Sequence, residues 1–262
     1  MNRALRTAAT GMYAQQLNID IISNNLANVN TVGFKKSRPE FQDLMYQTLK
    51  ATGVSLNRNI QQPMEIQVGN GAIPVATLKS FLQGGIEPTT NPLDLAIEGE
   101  GFLQVRRPDG SFAYTRDGAL KLSAEGTLVT SQGYLLEPDV SFPSEISSMS
   151  VGRDGAIEVV AVGDAEGVRV GQVELAKFVN PAGLRAIGNN LFVETSASGP
   201  PIIGVAGAPG FGEIQQGYLE SSNVDIVEEM VNMIVAQRAY EINSKTIKTV
   251  EDMLGMANNL KR

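Results

Sequence analysis

The sequence predicts an α+β protein: long N- and C-terminal heptad helices packing as a coiled coil, an irregular connector, and a central all-β domain. Two patterns predict this. Apolar residues recur every seven positions at both ends of the 262-residue chain, and short apolar runs separated by glycine turns fill the middle. A lone amphipathic helix is marginal in water, so the two ends bury their stripes against each other or against other chains.

The first helix is predicted over residues 1–32. Leu5, Met12, Ile19 and Leu26 fall seven apart, and Ile22 and Val29 repeat the step three residues on. Leu17 and Ile21 widen the stripe. Asn24, Asn25, Asn28 and Asn30 are weak helix formers, predicted to end the helix or to bond across to a neighbouring chain. Residues 33–92 carry Pro39, Pro63, Pro74, Pro88 and Pro92 and read as an irregular connector with one strand at 75–81. In 93–200 the runs at 95–97, 102–105, 128–129 and 157–160 lie between turns ending in Gly110, Gly118, Gly126, Gly133 and Gly155. Glycine accepts positive φ cheaply, so this text reads as antiparallel hairpins. The stretch 201–221, with Gly204, Gly207, Pro209, Gly210 and Gly212, reads as the return connector.

The last helix is predicted over 222–262. Ser222-Asn223-Val224-Asp225 reads as a capping box with Asp in place of Glu. Ile226, Met233, Tyr240, Ile247 and Leu254 fall seven apart, Met230, Val250 and Ala257 share their face, and Val227, Val231 and Ile234 widen it. The organisation is therefore 1–32 with 222–262 as a terminal helical domain, 33–92 with 201–221 as a connector, and 93–200 as an antiparallel β domain. The predicted assembly interface is Leu5, Met12, Ile19, Ile22, Leu26 and Val29 with Ile226, Met230, Met233, Tyr240, Ile247, Val250 and Leu254.

Composition removes most chemistry. The chain has no His and no Cys, which excludes imidazole bases, thiol nucleophiles, disulfides and thiolate metal sites. A net charge of -7 argues against nucleic acid as a partner. No apolar run approaches the ~18 residues of a membrane span, so no membrane insertion is expected. The basic start at 1–7 leads to no apolar core of a cleaved signal peptide. Gly207–Gly212 lacks a following Lys-Ser or Lys-Thr and reads as a flexible connector, and Gly99-Glu100-Gly101 as a bulge or turn. Asp109, Asp117, Asp154 and Asp164 sit at turns, which explains each without a catalytic carboxylate pair. Arg116-Asp117 and Arg153-Asp154 read as surface turns or subunit contacts, and Lys35, Lys36 and Arg38 as a solvated loop. No catalytic, cofactor or metal site is predicted.

The stretch 22–35 contains Asn24, Asn25, Leu26, Ala27, Asn28, Thr31, Gly33 and Phe34, and it resembles the signature of the bacterial flagellar basal-body rod and hook proteins. Segments 216–224 and 237–245 resemble the C-terminal part of that family, and 94–102 and 114–118 match it in the middle. The resemblance implies a structural subunit with no active site. It implies helical polymerisation into the distal rod, the drive shaft that passes torque from motor to hook. A role in the proximal rod, as its longer component, is the alternative. It further implies a tube with helices lining the inside and β domains outside, and 46–67 as a stiffening connector. The implied neighbours are proximal rod proteins, the hook protein and the outer ring, or bushing, proteins. Export unfolded through the flagellar apparatus, without signal cleavage, would carry the chain across the periplasm. A different class, a soluble β-domain binding protein oligomerised through its helices, would give discrete particles rather than fibres.

Overall fold

Helix α1 spans Asn2–Ala27 and helix α2 spans Ile226–Asn259; between them a computed structural model of the chain holds strands, turns and one short 3-10 turn at Pro181–Gly183. The fold is α+β. The structure describes residues 2–50, 65–142, 146–161 and 167–259. These group into two compact units: the described residues of 1–26, 37–78 and 226–262, and those of 27–36 and 79–225. The stretch read as a connector divides between the two.

α1 stops five residues before the predicted end. The Thr31 N–H donates to the Asn28 carbonyl at 3.1 Å, and the Thr31 hydroxyl to the Asn28 side chain at 3.1 Å. Such local bonds offer the backbone an alternative to helix. Val29, placed by its spacing on the helical stripe, therefore lies in a turn. The predicted capping box of α2 is not formed. Ser222 lies four residues before Ile226, and its Oγ accepts from the Val224 N–H at 3.3 Å. Asp225 instead occupies the position before the first helical residue, a favoured place for Asp. Glu228 and Glu229 in the first turn suit the positive end of the helix dipole.

Within the first unit α1 and α2 run antiparallel. Asn25 bonds Glu229 at one end, and Gly11 faces Asn243 further along. A Cβ on Gly11 would come within 2.9 Å of the Asn243 amide nitrogen, so the one glycine in α1 lets the helices approach. The same unit holds the strand Ser37–Asp43 paired with Ala72–Lys79, which replaces the strand expected at 75–81. Tyr46–Lys50 pairs antiparallel with Ile66–Gly69. Residues 51–64 of the expected stiffening connector lie outside the described residues.

The second unit is antiparallel β. Phe102–Arg106 is central: it pairs with Phe112–Thr115 on one side and with Leu135–Glu137 and Glu174–Lys177 on the other. The sheet continues through Leu191–Val193 to Arg185–Gly188, and Ile202–Val205 flanks Glu174–Lys177. A three-stranded sheet of Ile146–Val151, Ala156–Ala161 and Val168–Gln172 joins the same core. Strand Leu95–Glu98 pairs with Glu213–Gln216, and Ile86–Pro88 with Tyr218–Glu220. Leu103, Val105, Ala113, Leu136, Ile157 and Leu175 are buried together. Most turn glycines take positive φ as predicted, but Gly118 does not. A Cβ there would fall 1.6 Å from the Leu95 carbonyl oxygen, so close backbone approach is what requires glycine. The stretch 207–212 is a bonded turn rather than a flexible connector: Gly207 N–H donates to Gly212 O at 2.8 Å, and Phe211 N–H to Ala208 O at 2.9 Å.

A second cluster packs Phe102, Tyr114, Phe178 and Phe192 edge to face, with Tyr114 and Phe178 centroids 4.8 Å apart. Burial pushes the Tyr114 phenol up to about 12 from 10.0. The unfolded chain therefore loses that proton first, and stability falls as pH rises between those values, by roughly a few kcal/mol in full. Denaturant unfolding followed through this range is expected to show the loss, and Tyr114→Phe is expected to remove it.

Candidate assembly interface

The side of α2 that meets α1 carries Glu229, Ala236, Asn243 and Val250, seven residues apart; three are buried and Asn243 half-buried. α1 contributes buried Ala8, Ala14, Ile22 and Asn25. The row chosen from the sequence lies beside this line. Met233, Ile247 and Leu254 are half-buried, whereas Ile226, Met230 and Tyr240 are exposed; only Val250 of the predicted α2 set is buried. On α1, Leu5, Met12, Ile19 and Leu26 are half-buried. Small and polar residues therefore form the contact inside the chain, because they let the helix backbones come close.

This arrangement leaves a different apolar stripe uncovered. Val231, Val235, Ile242, Met253 and Met256, at steps of four, seven, eleven and three residues, share one face of α2, and Ile242 is 63% exposed. Ile226, Val227, Met230 and Ile234 add an exposed cluster over the first turns. A groove of about 310 Å³ lies on the stripe, between Ile242, Lys245, Thr246, Thr249, Val250 and Met253. Side chains one turn apart with a hollow between them are the receiving half of knobs-into-holes packing. Extended apolar surface of this kind marks an interaction site. Among the described residues, no group of three His, Cys, Asp or Glu could hold a metal ion.

The signature segment makes a buried junction in the second unit. Lys35 reaches Glu220 at 2.6 Å and the Leu82 carbonyl at 2.7 Å. The other Glu220 oxygen meets the Arg116 guanidinium at 3.0 Å, and Arg116 also donates to Gly99 O at 2.6 Å. The Gly84 N–H donates to the Glu220 carboxylate at 2.8 Å, and the Gly33 N–H to the Glu220 carbonyl at 2.8 Å. All three charged side chains are buried. Burial lowers the Lys35 pKa, opposed by the attraction of Glu220. Gly33 takes φ 67°, and a Cβ there would strike the Arg116 backbone at 2.7 Å. The solvated-loop reading thus fails for Lys35, and the surface-turn reading for Arg116. No local charge pattern pairs residues this far apart in the chain.

The remaining signature residues divide. Asn24 and Ala27 are exposed; Asn28, Thr31 and Phe34 are half-buried, with the Lys79 ammonium 5.4 Å above the Phe34 ring. Asn25 is buried and bonds within its own chain: its Nδ2 donates to Ser37 O at 2.8 Å and its Oδ1 accepts from Ser37 N–H at 3.0 Å.

Three family models match the chain: flagella basal body rod protein over residues 5–35, flagellar hook protein FlgE/F/G D1 domain over 96–159, and flagellar basal body rod FlgEFG protein C-terminal over 215–260. The chain is 53% identical to the flagellar basal-body rod protein FlgG of Borreliella burgdorferi over 264 aligned positions, covering all of both chains. It is 46% identical to the protein of that name from Caulobacter vibrioides, over 99% of each chain, and 39% identical to that of Bacillus subtilis, over all of both.

Proposed function

The chain belongs to the family of flagellar basal-body rod proteins, and from that premise we propose that the exposed stripe of α2 is the surface through which its copies polymerise into the distal rod. It is a structural subunit of the flagellar basal body. The observation that carries the proposal is the uncovered apolar face of Val231, Val235, Ile242, Met253 and Met256, which α1 leaves free. A stripe on one copy docking on a different surface of the next is a heterologous contact, and such contacts build open helical polymers. In that polymer α1 and α2 pack with neighbouring helices as a coiled coil. Leu5, Met12, Ile19, Leu26, Met233, Tyr240, Ile247 and Leu254, half-buried or at the margin of exposure in one copy, complete their burial there. Val29, on the turn after α1, is no part of the helical seam.

The rod reading brings its neighbours: proximal rod proteins at one end, the hook protein at the other, outer ring proteins around it, and the flagellar export apparatus as the route across the periplasm without signal cleavage. No helix among the described residues is long and apolar enough to cross a membrane. The segment 46–67 is assigned the stiffening of the tube. Electron microscopy of the concentrated protein tests the central claim. Fibres or tubes are expected, and restored rods and motility in cells lacking their own distal rod protein. Discrete closed particles, with no rescue, would overturn it.

A further inference from the structure

The chain passes between its two units four times, at 26/27, 36/37, 78/79 and 225/226. Four separate crossings are soft, since each has its own free φ and ψ. Two asparagines, one in each unit, tie together within their own unit the residues that flank these crossings. In the first, Asn25 pairs with both backbone groups of Ser37 and donates to Glu229 at 3.2 Å, tying residues next to three crossings. In the second, the Asn223 Oδ1 accepts from Lys36 N–H at 2.7 Å, and its Nδ2 donates to Ser80 O at 2.9 Å and Leu82 O at 3.0 Å. The Ser80 N–H donates to Lys36 O at 2.9 Å, closing the set. A carboxamide serves here because it offers donor and acceptor together. Aspartate has the same shape but would turn a carboxylate toward carbonyl oxygens, and in the first unit toward Glu229.

We infer that Asn25 and Asn223 are torque-transmitting positioning residues: they hold the four crossings at fixed spacing, so that load on the subunit is shared among them. This rests on the reading of the chain as a rod subunit and identifies where the load passes. The test uses full-length Asn223→Asp and Asn25→Asp, each replacing the native protein in cells. Rods are counted by electron microscopy, melting of the purified protein is followed by circular dichroism, and the rotation of tethered cells is measured under light and heavy viscous load. Each variant is expected to build rods and to rotate normally under light load, but to lose half or more of its speed under heavy load. Asn223→Asp keeps the acceptor for the Lys36 N–H and loses the donors to the Ser80 and Leu82 carbonyls, so the Ser80 amide, bonded to Lys36 O, should exchange about fivefold to tenfold faster, the equivalent of ~1 kcal/mol, with core amides unchanged. Normal speed under heavy load would overturn the inference. So would absent rods, or an equal loss at every load with lowered melting, because the residues would then serve assembly or folding alone. If one variant fails to fold, the other, in the other unit, decides. Failure of the parent chain itself to restore rods would refute the functional reading rather than this one.

Discussion

Glu220→Leu is expected to destabilise the second unit by about 3–5 kcal/mol, a large share of the stability of an ordinary domain. The carboxylate stands between two buried cations, Lys35 at 2.6 Å and Arg116 at 3.0 Å, and its removal leaves both without a counter-charge. Removing one partner of a buried ionic group costs more than the group ever contributed, because the desolvation of the other stays. Lys35 can relieve part of this by losing its proton. Its pKa is already lowered by burial, and without Glu220 nothing opposes that. The unfolded chain then binds more protons than the folded one up to the ordinary lysine value of 10.5, so the variant should regain stability as pH rises toward it. Replacing all three residues by apolar ones of similar size should recover much of the loss at neutral pH. Denaturant unfolding of the parent, single and triple variants measures this. A single variant as stable as the parent would show that the cluster does not exist in solution.

Ile242→Asp should leave the monomer intact and abolish rods and motility. The side chain is 63% exposed, and surface changes of this kind stay within about 0.5 kcal/mol. In a polymer that covers the stripe, the same carboxylate would be buried without a partner, at a cost of several kcal/mol for every subunit added. Lys248→Asp, an exposed position outside the stripe, is the comparison and should be much milder. Ile247→Asp should behave differently from both, since Ile247 is half-buried and would disturb the helical unit within one copy. Circular dichroism of the monomers and microscopy of rods in cells read the three. Normal rods from Ile242→Asp would remove the stripe from the interface.

Both helices and the β middle were legible because each rests on a periodicity that one sequence displays directly. The end of α1 was less so. The apolar step runs on to Val29 by spacing alone, while the local bonds of Asn28 and Thr31 turn the backbone away. The row of α2 that meets α1 within one chain was hidden for a related reason. Periodicity weights large apolar side chains, but α1 and α2 meet where Gly11, Ala236 and Asn243 permit close approach. The large residues were left for another surface. The Lys35–Glu220–Arg116 cluster was illegible, since its members lie 185 and 104 positions apart and each sits beside ordinary turn residues. The functional class survived these errors because it depends on the stripes' existence and on the signature at 22–35, not on which row faces which partner.

The antiparallel pairing of α1 with α2 has a consequence for timing. The first unit is discontinuous: α1 comes from the beginning of the chain, its strands from 37–79, and α2 from the end, with the whole second unit between them. Any machine that delivers the chain one end first, a ribosome or an export channel, releases one helix long before the other. The contiguous stretch 79–225 can fold while the first-delivered helix still lacks its mate, because its contacts need nothing from the far end. The helical pair, closed over a large sequence separation, forms last. Adhesiveness is thereby postponed: a subunit still in transit lacks a completed docking face, and gains one only when its final residues arrive.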